Sequence, residues 1–171
     1  MRRNTSLWPA AVIAVLLTAS GAVTIHARQD AQPARANIYA QKLIDDTLAK
    51  HPEVVTLAMH VTPPNNPDNI IIASNFGKLG KKADEDDLGV LKTGRPRAEV
   101  GRNGDRFSVE LPLQDLSGHT VGVLAVAFPY KAGDDKGKFL KQAEHIRDKM
   151  KKKIPSLEKL FEPSKPGTAR R

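Results

Sequence analysis

Apolar and polar residues alternate from Phe107 to Leu113, and from Val121 to Phe128 nearly every position is apolar. In the first run Phe107, Val109, Leu111 and Leu113 share one face while Ser108 and Glu110 take the other, the period-two signature of a half-buried strand. The second run puts Val121, Val123, Ala125 and Ala127 on one side and Gly122, Leu124, Val126 and Phe128 on the other. Both of its faces need cover, so it belongs at the centre of its sheet. Between the runs, Gln114 to Gly118 supplies turn chemistry: Asp115 can bond its own backbone and Gly118 can take a positive φ. The pattern predicts an antiparallel hairpin.

Upstream, Ala40, Leu43, Ile44, Thr47 and Leu48 recur at helical spacing. They predict an amphipathic helix over Asn37–Lys50, with Asn37 as N-cap and His51-Pro52 as stop. Val54–Val61 alternates as a strand, with Val55, Leu57, Met59 and Val61 on one face. The three prolines of residues 62–69 cannot continue a ladder, so a loop leads into a returning strand at Ile70–Ala73. Asp84 can cap a short helix with an acidic first turn, Leu88 and Leu91 facing inward and Gly94 closing it. Arg97–Gly101, with Ala98 and Val100 inward, predicts another strand, and Asn103-Gly104 a two-residue type I′ turn into the hairpin. After Tyr130, the Asp134-Asp135 segment caps a long helix whose stripe is Phe139, Ala143, Ile146 and Met150. Pro155 ends it, residues 156–161 make one more turn, and the charged tail from Pro163 to Arg171 is expected to be disordered.

Strand, Asp115-Leu-Ser-Gly118, Val121-Gly-Val-Leu124 and the closing Phe128-Pro-Tyr130 together resemble the final hairpin of PAS-like extracytoplasmic sensor domains, the Cache family. The resemblance covers about Ala36 to Pro163. It implies an α+β, PAS/Cache-like fold: a five-stranded antiparallel sheet with long N- and C-terminal helices on one face, and a ligand side formed by residues 74–101. It also implies ligand binding rather than catalysis. Amino-acid-binding members carry a Tyr/Arg/Trp/Asp set on the helix and central strands that has no counterpart here.

At 171 residues the chain has room for one domain. Arg2 and Arg3, the apolar and small residues from Ala10 to Ala19, and Ile25-His-Ala27 make residues 1–27 a secretory signal peptide, followed by a polar spacer over 28–36, a domain over 37–163 and a basic tail over 164–171. The competing reading is an inner-membrane anchor at residues 7–25, an uncharged stretch close to the ~20 residues that span a bilayer. Only that alternative brings a membrane into play; otherwise the protein is expected in the periplasm or secreted. Cleavage removes Arg2 and Arg3 from the 27 Lys and Arg residues, leaving 25 against 19 acids, a net +6. The chain has no cysteine, which excludes disulfides, thiolate metal sites and a cysteine nucleophile.

The remaining chemistry is sparse. His51, His60, His119 and His145 form no zinc-hydrolase spacing, Asp84–Asp87 does not match a calcium loop, and phosphate-loop, dinucleotide and nucleophile-elbow motifs do not occur. No metal, cofactor or catalytic residue is expected. Four residues are candidates for ligand binding: His60 within its strand, Ser74 and Asn75 where a strand gives way to the covering segment, and Arg95, whose guanidinium suits a carboxylate. The run Arg147, Lys149 and Lys151–Lys153 suits phosphate, anionic lipid or polyanionic glycan, and equally a helix C-terminus. No aromatic residues interleave it, so nucleic acid is not an expected partner. The expected function is an exported small-molecule-binding, sensor-type module without its own output domain, read by an envelope signalling partner. The alternative is a non-catalytic adaptor of the cell envelope that uses the PAS-like fold or its basic C-terminal helix.

Overall fold

The computed structural model describes residues 36–165. The leader, nearly all of the spacer and the end of the tail lie outside them. In chain order the elements are α1 (Tyr39–Leu48), β1 (Thr56–Val61), β2 (Ile70–Ser74), α2 (Glu85–Thr93), β3 (Arg97–Val100), β4 (Arg106–Gln114), β5 (Thr120–Pro129), α3 (Lys136–Lys151) and a final 3₁₀ turn, Glu158–Phe161. The strands form one antiparallel sheet in the order β2-β1-β5-β4-β3, an α+β arrangement consistent with a PAS-like fold. The continuously apolar strand β5 is the central one, as its two hydrophobic faces require.

Helices α1 and α3 cover one sheet face. Leu57, Met59, Val109, Leu111, Leu124, Val126 and Phe128 there join Leu43 and Ile44 of α1 and Ala143, Ile146 and Met150 of α3 in a single core. Each fully buried large side chain contributes at most about 1.5–3 kcal/mol. Phe139 carries the start of α3 onto the β4–β5 pair, its ring 5.3 Å from Phe128 and 5.7 Å from Phe107. The Asp135 side chain caps this helix by accepting from the backbone N–H groups of Gly137 and Lys138.

Several local expectations give way to tertiary contacts. At ten residues α1 is shorter than Asn37–Lys50, and its N-cap is Ile38 rather than Asn37. The Tyr39 N–H donates to the Glu162 carbonyl at 2.9 Å, Ile38 bridges Pro163, and the Ser164 N–H donates to the Asn37 carbonyl. The Glu162 carbonyl therefore supplies the acceptor that a capping side chain would otherwise provide, and Pro163 and Ser164, at the start of the tail expected to be disordered, are held against the helix entrance. In α2, Leu88 is 46% exposed while Asp87 and Val90 are buried, so the helix is rotated away from the expected Leu88/Leu91 face. In β3 Ala98 is exposed, and only Val100 packs against the core. Asn103-Gly104 does not form a type I′ turn, because only Gly104 (φ 72°) is left-handed; the Gly104 N–H closes a turn on the Gly101 carbonyl, and the Gly101 N–H donates to the Arg106 carbonyl.

Gln41 has a structural role that its helical position did not announce. Fully buried, it donates through Nε2 to the Ser74 carbonyl at 3.1 Å and accepts the Ser74 N–H at Oε1, so a side-chain amide stands in for a neighbouring strand at the edge of β2.

Gly122 is fixed by close approach at the centre of the sheet. A Cβ there would lie 2.3 Å from the His60 carbonyl oxygen and 2.9 Å from Val61 Cγ2, so the β1–β5 pairing leaves no room for one. Gly122→Ala should destabilise the protein by about 2–3 kcal/mol, since only backbone movement relieves the contact. Gly89→Ala in α2, where a Cβ meets nothing within 4 Å, should instead stabilise by roughly 0.5–1 kcal/mol through helix propensity. Urea denaturation of the two variants tests the placement, and equal midpoints would contradict it.

Candidate functional site

The second sheet face has a different composition. Beneath and beside α2 it presents Thr56, Ala58 and His60 from β1, Val123, Ala125 and Ala127 from β5, Ser108, Glu110 and Pro112 from β4, and Arg97 and Glu99 from β3. The pairing aligns Ala58, Ala125, Glu110 and Arg97 in one row across four strands. A nine-residue helix cannot cover this width. Ala125, on the central strand, remains partly exposed, as do Ser108 and Glu110.

Asp87 fixes α2 to this face. Within the helix it completes a capping box: its backbone N–H donates to the Asp84 side chain at 3.2 Å, and its Oδ2 accepts from the Asp84 N–H at 3.4 Å. The same Oδ2 lies 2.9 Å from His60 Nδ1, with both side chains almost fully buried. That contact is off the line of a well-formed hydrogen bond, so it acts as a close electrostatic pair. The pairing gives a physical reason for the unexpected rotation of α2: directing Leu88 inward would turn Asp87 away from a buried imidazole.

Arg97 is the hub on the other side. Its guanidinium lies 3.0 Å from Asp86, 2.9 Å from Glu99 and 3.7 Å from Glu110. Glu110 is short of countercharge. Burial first, and then repulsion from Asp87, push its carboxyl from the ordinary 4.5 up to about 7, although Arg97 pulls the other way. Among the described residues, His60 Nδ1, Arg97 Nη1 and Glu110 Oε2 are buried with ion-pair neighbours but no well-formed hydrogen bond. Such atoms are uncommon in folded proteins, and three within one ionic cluster mark a place able to hydrogen-bond something further.

Of the four residues expected from the sequence, His60 alone enters this cluster. Ser74 is buried, with its hydroxyl donating to the Gly77 carbonyl. Asn75 extends the β1–β2 ladder past the strand end, accepting the Leu57 N–H at Oδ1 and donating from Nδ2 to the Val55 carbonyl, both at 3.0 Å. Arg95 lies exposed beyond the end of α2. Arg97 and Glu110 were not singled out by sequence reading, and Asp87 was considered only within the Asp84–Asp87 run that does not match a calcium loop. A carboxylate at position 110 beside a central strand that needs cover on both faces was the available signal.

No family model matches the chain, and no curated protein matches it. Among solved structures, it is similar to a double mutant of the PobR transcription factor inducer-binding domain from Acinetobacter, in complex with 3-hydroxybenzoic acid, at 9% identity and a TM-score of 0.46, covering 71% of this chain and 100% of that one. It is also similar to the Agrobacterium tumefaciens repressor BlcR, at 11% identity and a TM-score of 0.47, covering 68% of this chain and 67% of that one. Likeness at this level carries no information about what the present chain binds.

The raised Glu110 carboxyl has a measurable consequence for stability. Between pH 4.5 and about 7 the folded protein holds a proton that the unfolded chain has lost, so this group's contribution falls as pH rises through that window and stays low above it. Allowing for solvent on its open side, the cost at pH 8 is about 1–2 kcal/mol. Glu110→Gln should therefore be more stable than the parent by that amount at pH 8 and equal to it below pH 4.5. Urea titrations at both pH values decide this, and a difference independent of pH would remove Glu110 as its source.

Proposed function

We propose that this chain is an exported small-molecule-binding module of the sensor type, related to Cache domains, whose ligand engages the α2 side of the sheet at His60, Asp87, Arg97 and Glu110. The observation that carries this reading is the group of buried polar atoms that have ion-pair neighbours but no well-formed hydrogen bond, next to a sheet centre that α2 leaves partly open. A domain built only for stability would fill such a face with apolar side chains, because half-satisfied ionic clusters cost free energy. Acidic side chains outnumber the one guanidinium here, with Asp86, Glu99 and Glu110 around Arg97 and Asp87 beside His60. The ligand chemistry this favours is a small polar molecule presenting an ammonium or several N–H and O–H donors. The basic, then apolar, stretch at residues 2–19 supports export. The role is binding, not catalysis, and a separate envelope protein reads the bound state.

Native mass spectrometry of protein purified from its own cell envelope, followed by a thermal-shift screen of small amines and polyols, tests this reading. A compound so identified should bind Glu110→Gln and Arg97→Gln about tenfold to a hundredfold more weakly, as loss of a charged hydrogen bond predicts. Arg95→Ala should bind as the parent does. If both cluster variants keep full affinity while substitution of Lys151, Lys152 and Lys153 abolishes it, the adaptor reading based on the basic helix replaces this one.

A further inference from the structure

A second surface, on the helix layer across the sheet from Glu110, bears a different chemistry. Two pockets of about 520 and 280 Å3 adjoin there and share His51 and His145. Along α3 they are lined by Lys138, Lys141, His145 and Lys149, and at the end of α1 by Lys50 and His51. At 100° per residue the four α3 positions fall on one narrow stripe that contains no acid, and Lys153 continues it just past the helix end. The stripe is roughly 16 Å long, with a cation or imidazole every turn. Among the described residues, none of Lys50, Lys138, Lys141, Lys149 and Lys153 forms an ion pair. The two acids in the groove are already engaged: Glu53 with His51 at 3.1 Å, and Asp135 with the backbone N–H groups that begin α3.

A single anion would gain little from any one exposed lysine, and salt would screen it. A chain carrying several anionic groups meets all of them at once, and each contact after the first is intramolecular. The lining also narrows the class of chain. These cations line a concave groove, which a flat bilayer cannot follow. Among the described residues, no Phe, Tyr or Trp lines either pocket, so the large stacking platform typical of single-stranded nucleic-acid sites is missing there. Between the charges stand Thr47 and Gln142, neutral donors and acceptors of the kind that sugar hydroxyls use, together with the imidazoles of His51 and His145. We propose that the groove between α3 and the end of α1 binds a linear anionic polysaccharide, carboxylated or sulfated. The proposal is independent of the ligand assigned to the α2 face.

The test is calorimetric titration of the full chain with a uronate oligosaccharide and a sulfated oligosaccharide, with phosphatidylglycerol vesicles and an oligothymidylate as competing partners. At least one oligosaccharide should bind more tightly than vesicles or oligothymidylate, with affinity falling steadily as salt rises. The triple variant Lys138→Gln/Lys141→Gln/Lys149→Gln should lose at least tenfold in affinity. A control that removes the same charge off the groove, Lys81→Gln/Lys92→Gln/Lys131→Gln, should lose less than twofold. All six lysines are exposed, so both variants should keep the parent's melting temperature, which verifies that they are folded. Equal losses in the two variants, tighter binding to vesicles or oligothymidylate, or no binding of either oligosaccharide would each overturn the proposal.

Discussion

Everything in this fold depends on the burial of β5. A strand apolar on both sides must sit between two others and under cover on both faces, and the chain meets the first demand by pairing it with β1 and β4. The approach of β1 is close enough that position 122 tolerates no side-chain carbon. Once β5 is placed, β2 and β3 become the sheet edges. The Gln41 amide closes one of them by pairing with the Ser74 backbone.

Cover is unequal on the two faces. Helices α1 and α3 bring enough apolar surface to seal one side, whereas α2 brings nine residues, of which Asp87 and Val90 are the buried ones. The α2 face is built instead from small residues and from an ionic cluster whose members are partly satisfied. Glu110 shows the energetic character of this arrangement, since burial and a neighbouring carboxylate hold it near half-protonation at neutral pH. Local departures of this kind from the rules of a stable core are where binding sites are expected, because preorganised polar groups cost stability until something pairs with them.

The charged surface of α3 follows from the same division. With Phe139, Ala143, Ile146 and Met150 committed to the core, the helix has a broad solvent side, and its lysines on that side repeat at one-turn intervals beside the end of α1. The sheet separates that groove from the Glu110 cluster, so substitutions in one leave the contacts of the other in place.

Periodicity, residue propensity and turn chemistry determined the strands, the stripes of α1 and α3, the central position of β5 and the turn at Asp115–Gly118, because these are set by neighbours in sequence. Gly118 takes the positive φ, 88°, that its turn demanded. His60 was legible as an unusual residue within a strand, but its partner was not. Asp87 lies far from it along the chain and meets it only because α2 folds back over the sheet. The rotation of α2 was misread for the same reason: its apolar spacing favours Leu88 inward, and a buried imidazole on another strand decides for Asp87. The cap of α1 was hidden likewise, since its acceptor is a carbonyl at position 162. A local pattern records which face of an element is apolar; which charges share a buried volume is fixed only when strands distant in sequence become neighbours, and there the cost of leaving a charge unpaired outweighs the phase of a short helix.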